Sequence, residues 1–136
     1  EKQDVLDVGC GSGVLSIAAV SMGAKSVFGI DIDENAIEHS KINAALNGME
    51  NLVSFGKAMD YHLASSILIL MNMIQSEQIE ALHSLESAFQ TPGDCLISGI
   101  LKKDKENYLE LTNSLKWQLI SEIEDGDWIA FHFTRP

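Results

Sequence analysis

Apolar positions in this chain follow two alternating rhythms. Short runs at residues 5–8, 27–30, 52–55, 67–71 and 95–100 read as strands, and segments with helical spacing separate most of them. A helix is expected over 12–22, ended by Gly23. Asp33 looks like the N-cap of another, with Ala36, Ile37, Ser40 and Ala44 on one face and Asn47-Gly48 as its stop signal. Residues 56–66 leave little room for a crossover helix, and 67–71 are continuously apolar, as expected of a strand buried on both faces beside the first. Ser76 is then read as the cap of a helix that turns Ile79, Leu82, Leu85 and Phe89 inward and ends at Thr91-Pro92-Gly93. A last helix over 104–115 should bury Tyr108, Leu111 and Leu115. Alternating runs at 117–123 and 128–133 flank Asp125-Gly126, a hairpin signal.

Strand and helix in alternation predict an α/β fold, a doubly wound and mostly parallel sheet with helices on both faces. The chain of 136 residues, 46% hydrophobic, is expected to form one domain. No apolar run approaches the ~20 residues that span a bilayer, so no membrane partner is expected.

The junction of the first strand and helix is the densest in chemistry. Val5-Leu6-Asp7-Val8 runs into Gly9-Cys10-Gly11-Ser12-Gly13, and Asp31 ends the second strand eighteen residues beyond Gly13. Glycines let the backbone turn sharply and approach a ligand, and an acid at the second strand's end can accept hydrogen bonds from two ribose hydroxyls. That is a nucleoside site, for a dinucleotide or for S-adenosylmethionine. A dinucleotide fingerprint would place its third glycine at position 14, which is Val14. The alternating glycines favour S-adenosylmethionine, and a plain turn joining strand to helix is the bland alternative.

Charge and composition narrow the partners. The net charge is −11 and the single arginine is Arg135, which argues against a nucleic acid held by this domain and suits attraction of a basic substrate. Lys102, Lys103 and Lys105 form the one basic cluster, read as a solvated loop entering a helix. Cys10 and Cys95 show neither metal nor disulfide spacing, and His39, His62, His83 and His132 are scattered, so no metal site is expected. A reducing cytoplasm fits best.

The Asp-x-Gly-x-Gly-x-Gly order at Asp7 to Gly13, with five αβ units before a hairpin, resembles the class I S-adenosylmethionine-dependent methyltransferases. That resemblance implies a Rossmann-like sheet of seven strands with an antiparallel C-terminal hairpin. It also implies that Gly9, Gly11 and Gly13 wrap the methionine part, that Asp7 helps place its ammonium, and that Asp31 binds the ribose. Ile32 and Met59 are candidate apolar neighbours of adenine, with core packing as the equal alternative. Asn72, at the carboxyl end of the fourth strand, falls where an open α/β sheet places its ligand. It is a candidate catalytic residue and cofactor contact, against the plainer role of turn former.

Asn72-Met73-Ile74 lacks the prolines found there in adenine and release-factor methyltransferases, and resembles the Asn-Ile-Leu of the PrmA family. The likeness extends from Gly9 to Ala19, over Gly29 to Asp33 and Ser98 to Leu101, and includes the C-terminal tryptophan and hairpin. It implies methylation of lysine and N-terminal amines on ribosomal protein eleven of the large subunit, a basic protein partner. Members of that family begin with a substrate-recognition domain, a linker and a Gly-Thr-Gly segment, none of which precedes Glu1. The expectation is therefore a methyltransferase domain over 1–136 without that N-terminal domain, or a degenerate relative, with cofactor binding weakened and recognition largely lost. Other classes left open are a small-molecule or RNA methyltransferase, a cofactor-binding module without turnover and, more distantly, an NAD-binding domain.

Overall fold

Alternating side chains on the strands serve two cores, one on each face of a single sheet. The computed structural model describes residues 3–62, 64 and 66–136. Its strands are β1 (Asp4–Val8), β2 (Ser26–Ile30), β3 (Val53–Gly56), β4 (Ile67–Asn72), β5 (Gly93–Leu101), β6 (Gln118–Asp125) and β7 (Trp128–Arg135). They lie in the order β3-β2-β1-β4-β5-β7-β6, with β1 to β5 parallel and β7 antiparallel to both neighbours. Strand order reverses between β1 and β4, which opens a crevice at their carboxyl ends. Leu6, Val8, Ile69, Met71, Ile97 and Phe131 belong to one core, and Val5, Val27, Ala44 and Val53 to the other. This is the expected doubly wound fold.

The helices are α1 (Val14–Ser21), α2 (Glu34–Leu46), α3 (Gln75–Ser84), α4 (Glu86–Phe89) and α5 (Lys105–Ser114). Asp33 caps α2 by accepting from the Asn35 N–H at 2.9 Å, and Ile37, Ser40 and Ala44 are its buried face. The short crossover before β4 contains a single 3-10 turn, Ala58–Asp60, among the described residues; positions 63 and 65 of the 56–66 stretch lie outside them.

Several local expectations are corrected. α1 is shorter than 12–22, because Gly13 at φ 81 stands before the helix as its N-cap. Ser76 caps nothing: Ile74 is the N-cap of α3, without a side-chain bond, and the helix breaks at Leu85, whose φ −118 and ψ 31 leave the helical region. Ile79 is exposed because Gln78 takes the inward position, and Leu115 is exposed because α5 ends at Ser114 with Tyr108 and Thr112 as its buried pair. β4 is not sealed on both faces: Ile67, Ile69 and Met71 are buried, Leu68 and Leu70 only half-buried. The hairpin loop is Gly126-Asp127, one residue later than expected, since Asp125 still pairs with Trp128.

The polar clusters outside the crevice are structural. Arg135 is buried, donating from Nη1 to the carbonyls of Ala88 and Thr91 and from Nη2 to those of Ile67 and Asp94. It gathers the end of α4 and the starts of β4 and β5. Lys102 and Lys105 pair with Glu124 and Glu122 of β6, so two of the three clustered lysines tether the hairpin.

Candidate functional site

The glycine loop leaves β1 and folds back on β2. Gly9 and Cys10 N–H groups both donate to the Ile30 carbonyl at 2.9 Å, and the Gly13 N–H donates to the Cys10 carbonyl at 2.8 Å. Gly11 has φ +54, and a Cβ added to it would meet nothing within 4 Å. The loop there is held in a left-handed turn that faces open space, so a ligand can approach the backbone itself.

Asp31 locks this loop to the end of β2. Its Oδ2 accepts from the Gly11 N–H at 2.9 Å and its Oδ1 from the Asp33 N–H at 3.0 Å. Each carboxylate oxygen keeps a second acceptor site, which is what a pair of ribose hydroxyls requires. Ile32 and Met59 are 93% and 85% exposed, so core packing is not their role.

Asp7 lies below the loop, almost fully buried, with the Ser16 hydroxyl donating to its Oδ2 at 2.6 Å. Burial pushes its carboxyl above the usual range, against the hydrogen bond from Ser16, and the nearby Asp31 charge raises it further. Cys10 is pushed up to about 12, chiefly by burial and then by the charges of Asp7 and Asp31, so its thiol stays protonated and unreactive. The loop wall therefore sets two carboxyl groups, Asp7 and Asp31, beside a backbone that is open at Gly11, an arrangement suited to a ligand that carries hydroxyl and cationic groups.

The facing wall is the end of β4. Asn72 is exposed there, opposite Ser98 of β5 in the parallel register, and lines a cleft of about 590 Å³ with Ile74, Glu77, Ser98, Asp125 and Trp128. The two walls meet at Met73: a Cβ on Gly9 would lie 2.1 Å from the Met73 sulfur. The fold thus brings Asp7, Gly9, Gly11, Gly13, Asp31 and Asn72 to the carboxyl ends of β1, β2 and β4. Among the described residues, no group of three or more His, Cys, Asp or Glu can hold a metal, and no helix is long and apolar enough to cross a membrane.

Sequence reasoning missed two buried polar residues around these walls, Ser16 and Gln78, and expected Tyr108 to be buried without its hydrogen bond. Gln78 Nε2 donates to the Met73 and Ser98 carbonyls at 2.6 and 2.8 Å, and the Tyr108 hydroxyl donates to Gln78 Oε1 at 2.6 Å. Their signal in the sequence was slight, a glutamine one place off an apolar stripe.

Comparison with known proteins agrees with this geometry. The family described as Ribosomal protein L11 methyltransferase (PrmA) matches residues 1–136. Relatives named Ribosomal protein L11 methyltransferase include one from Thermoanaerobacter pseudethanolicus, 33% identical over 93% of this chain and 41% of its own length. Another, from Cupriavidus metallidurans, is 36% identical over 98% of this chain and 43% of its own length. The chain thus spans about two fifths of the length of these relatives. A crystal structure of ribosomal protein L11 methylase from Lactobacillus delbrueckii subsp. bulgaricus superposes with a TM-score of 0.85 at 27% identity, covering 99% of this chain and 70% of that one. With the family matched from end to end and the fold superposed throughout, this chain belongs to the ribosomal protein L11 methyltransferase (PrmA) family.

Proposed function

We propose that these residues form the cofactor-binding and catalytic part of an S-adenosylmethionine-dependent methyltransferase that acts on amine groups of ribosomal protein L11. The observation that carries this reading is the meeting of two walls: a glycine loop locked to Asp31, and Asn72 standing across it at the end of β4. On this reading Gly9, Gly11 and Gly13 cradle the methionine part, Asp7 acts through the loop on its ammonium, Asp31 holds the ribose, and Ile32 and Met59 flank adenine. Recognition of the protein substrate rests with a further domain of the kind the longer relatives have room for, and the enzyme works in the cytoplasm.

S-adenosylmethionine, when bound, supplies an electrophilic methyl on a sulfonium. Transfer is an in-line displacement, so the protein's task is to hold the amine nitrogen about 3 to 3.5 Å from that carbon. A lysine amine has an unperturbed pKa of about 10.4, and it must shed its proton before it can attack. Desolvation in the cleft disfavours the charged form and lowers that pKa. Asn72 then accepts a hydrogen bond from the neutral amine and turns its lone pair toward the methyl. Glu77 and Asp125, in the same cleft, favour the approach of a cationic side chain.

The test measures methyl transfer to ribosomal protein L11 by the intact gene product. Asn72→Ala should lower single-turnover rate by tenfold or more while affinity for S-adenosylhomocysteine stays within about threefold, because an interaction made mainly in the transition state appears in the rate. A variant with reduced melting temperature but a normal rate per folded molecule would reduce Asn72 to a turn former.

A further inference from the structure

The parallel ladder between β4 and β5 ends at Asn72 and Ser98, and beyond it the two strands separate. β5 slips register against β7 between Ile97 and Ile100, with Gly99 at φ +88. The backbone of Met73 presses so close to Gly99 that a Cβ there would lie 2.3 Å from the Met73 carbonyl oxygen. Two main-chain acceptors, the carbonyls of Met73 and Ser98, point into the protein where the sheet no longer pairs them. Both residues are half-buried, so left alone each carbonyl would lose part of the hydrogen bonding it has in water.

A side chain closes the gap. Gln78, fully buried on α3, gives one carboxamide hydrogen to each carbonyl, extending the β4–β5 ladder by one step beyond its last backbone pair. The amide can serve two acceptors only in one orientation. Tyr108 of α5 fixes that orientation by donating its hydroxyl to Gln78 Oε1, and burial pushes its phenol far above the ordinary range, so it remains a donor. Its ring is in turn stacked on Phe131 of β7, at 5.8 Å and 8°. A chain of contacts thus runs from β7 through Tyr108 and Gln78 to the Met73–Ile74 peptide, one residue beyond Asn72.

We propose that Gln78, oriented by Tyr108, is a positioning residue for methyl transfer: it fixes the Asn72-Met73-Ile74 backbone and so the direction in which Asn72 meets the amine. The inference rests on the reading of Asn72 given above. It predicts an effect on rate with little on cofactor binding, since the contacts brace the Asn72 wall and not Asp31. Misplacement by about 1 Å at a reacting centre is enough to cost on the order of 100-fold in rate.

The experiment compares Asn72→Ala, Gln78→Leu, Tyr108→Phe and the Asn72→Ala/Gln78→Leu double variant in the intact gene product. Single-turnover methyl transfer to ribosomal protein L11 and S-adenosylhomocysteine affinity are measured on the same preparations. Gln78→Leu should lose at least tenfold in rate with affinity within twofold, Tyr108→Phe should show the same split at several-fold, and the double variant should be no slower than Asn72→Ala alone. If Gln78→Leu does not fold, Tyr108→Phe carries the decision, because it keeps the ring stack and removes only the hydroxyl. Unchanged turnover in Tyr108→Phe and in any folded Gln78 variant, with Asn72→Ala impaired, overturns the inference and leaves the Asn72 reading standing. Unchanged turnover in Asn72→Ala overturns both.

Discussion

The two walls of the crevice are built by different means. The Asp7–Asp31 wall is short-range: one loop and one strand end supply backbone donors and acids whose partners, Ser16, Gly11 and Asp33, lie within twenty residues of them. The Asn72 wall mixes ranges: Gln78 bonds Met73 five residues away and Ser98 twenty away, while Gly99 of β5 and Tyr108 of α5 reach in from twenty-six and thirty residues off. A loop that specifies its own shape can be recognised as a motif, whereas a wall that depends on distant packing is visible only once the fold is assembled. The first is suited to gripping a constant cofactor, the second to aiming one side chain.

The comparison breaks most sharply at its glycines. Gly99→Ala adds a Cβ against a main-chain carbonyl at a left-handed φ, and should destabilise the protein by about 2 to 4 kcal/mol from strain and overpacking together. Gly11→Ala meets open space and should cost only the left-handed strain of about 1 to 2 kcal/mol, while obstructing the ligand's approach. Urea unfolding of both variants checks this. Equal losses would mean that the Asn72 wall is no more tightly packed than the loop.

Asp31→Ala comes next in size and should act on binding. If Asp31 holds the ribose as proposed, its loss weakens S-adenosylhomocysteine affinity by about 1.5 to 3 kcal/mol, read by titration calorimetry. Asp31→Asn, which retains one acceptor oxygen, should fall between the parent and the alanine variant. Affinity unchanged in both would remove Asp31 from the site.

This contrast also decides what was legible in the sequence. Asp33 as the α2 cap, the strand order around β1 and the glycine loop could all be read because each rests on local backbone chemistry. Gln78 was hidden by the habit of assigning apolar residues to the inner face of a helix: its two donors and one acceptor are all satisfied, which no spacing rule anticipates. The expectation that Ile79 faces inward failed for that reason. Arg135 stands out in the sequence only as the single arginine, yet the carbonyls of Ile67, Ala88, Thr91 and Asp94 converge on it. Ile32 and Met59 stood evenly between core and site, and exposure alone removed the core from the choice.

The smallest expected effect concerns Asp7, whose carboxyl burial raises. The native state then holds this proton to higher pH than the unfolded chain does, so the Asp7 contribution to stability falls as pH rises from the ordinary carboxylate value of about 3.9 through the raised one. Asp7→Asn keeps an acceptor for Ser16 and removes the buried charge. It should melt at a higher temperature than the parent at neutral pH, with the gain vanishing below about pH 4, and should bind S-adenosylhomocysteine more weakly. A gain that persists at low pH would place its origin outside the Asp7 ionisation.

The central claim is that the loop wall is a site for S-adenosylmethionine rather than for a dinucleotide. Calorimetric titration of the 136-residue chain with S-adenosylhomocysteine and, separately, with NAD tests it most directly. The expected result is one-to-one binding of S-adenosylhomocysteine, tighter than any binding of NAD and weakened in Asp31→Ala. Tighter binding of NAD, or binding of S-adenosylhomocysteine that ignores Asp31→Ala, would contradict the account.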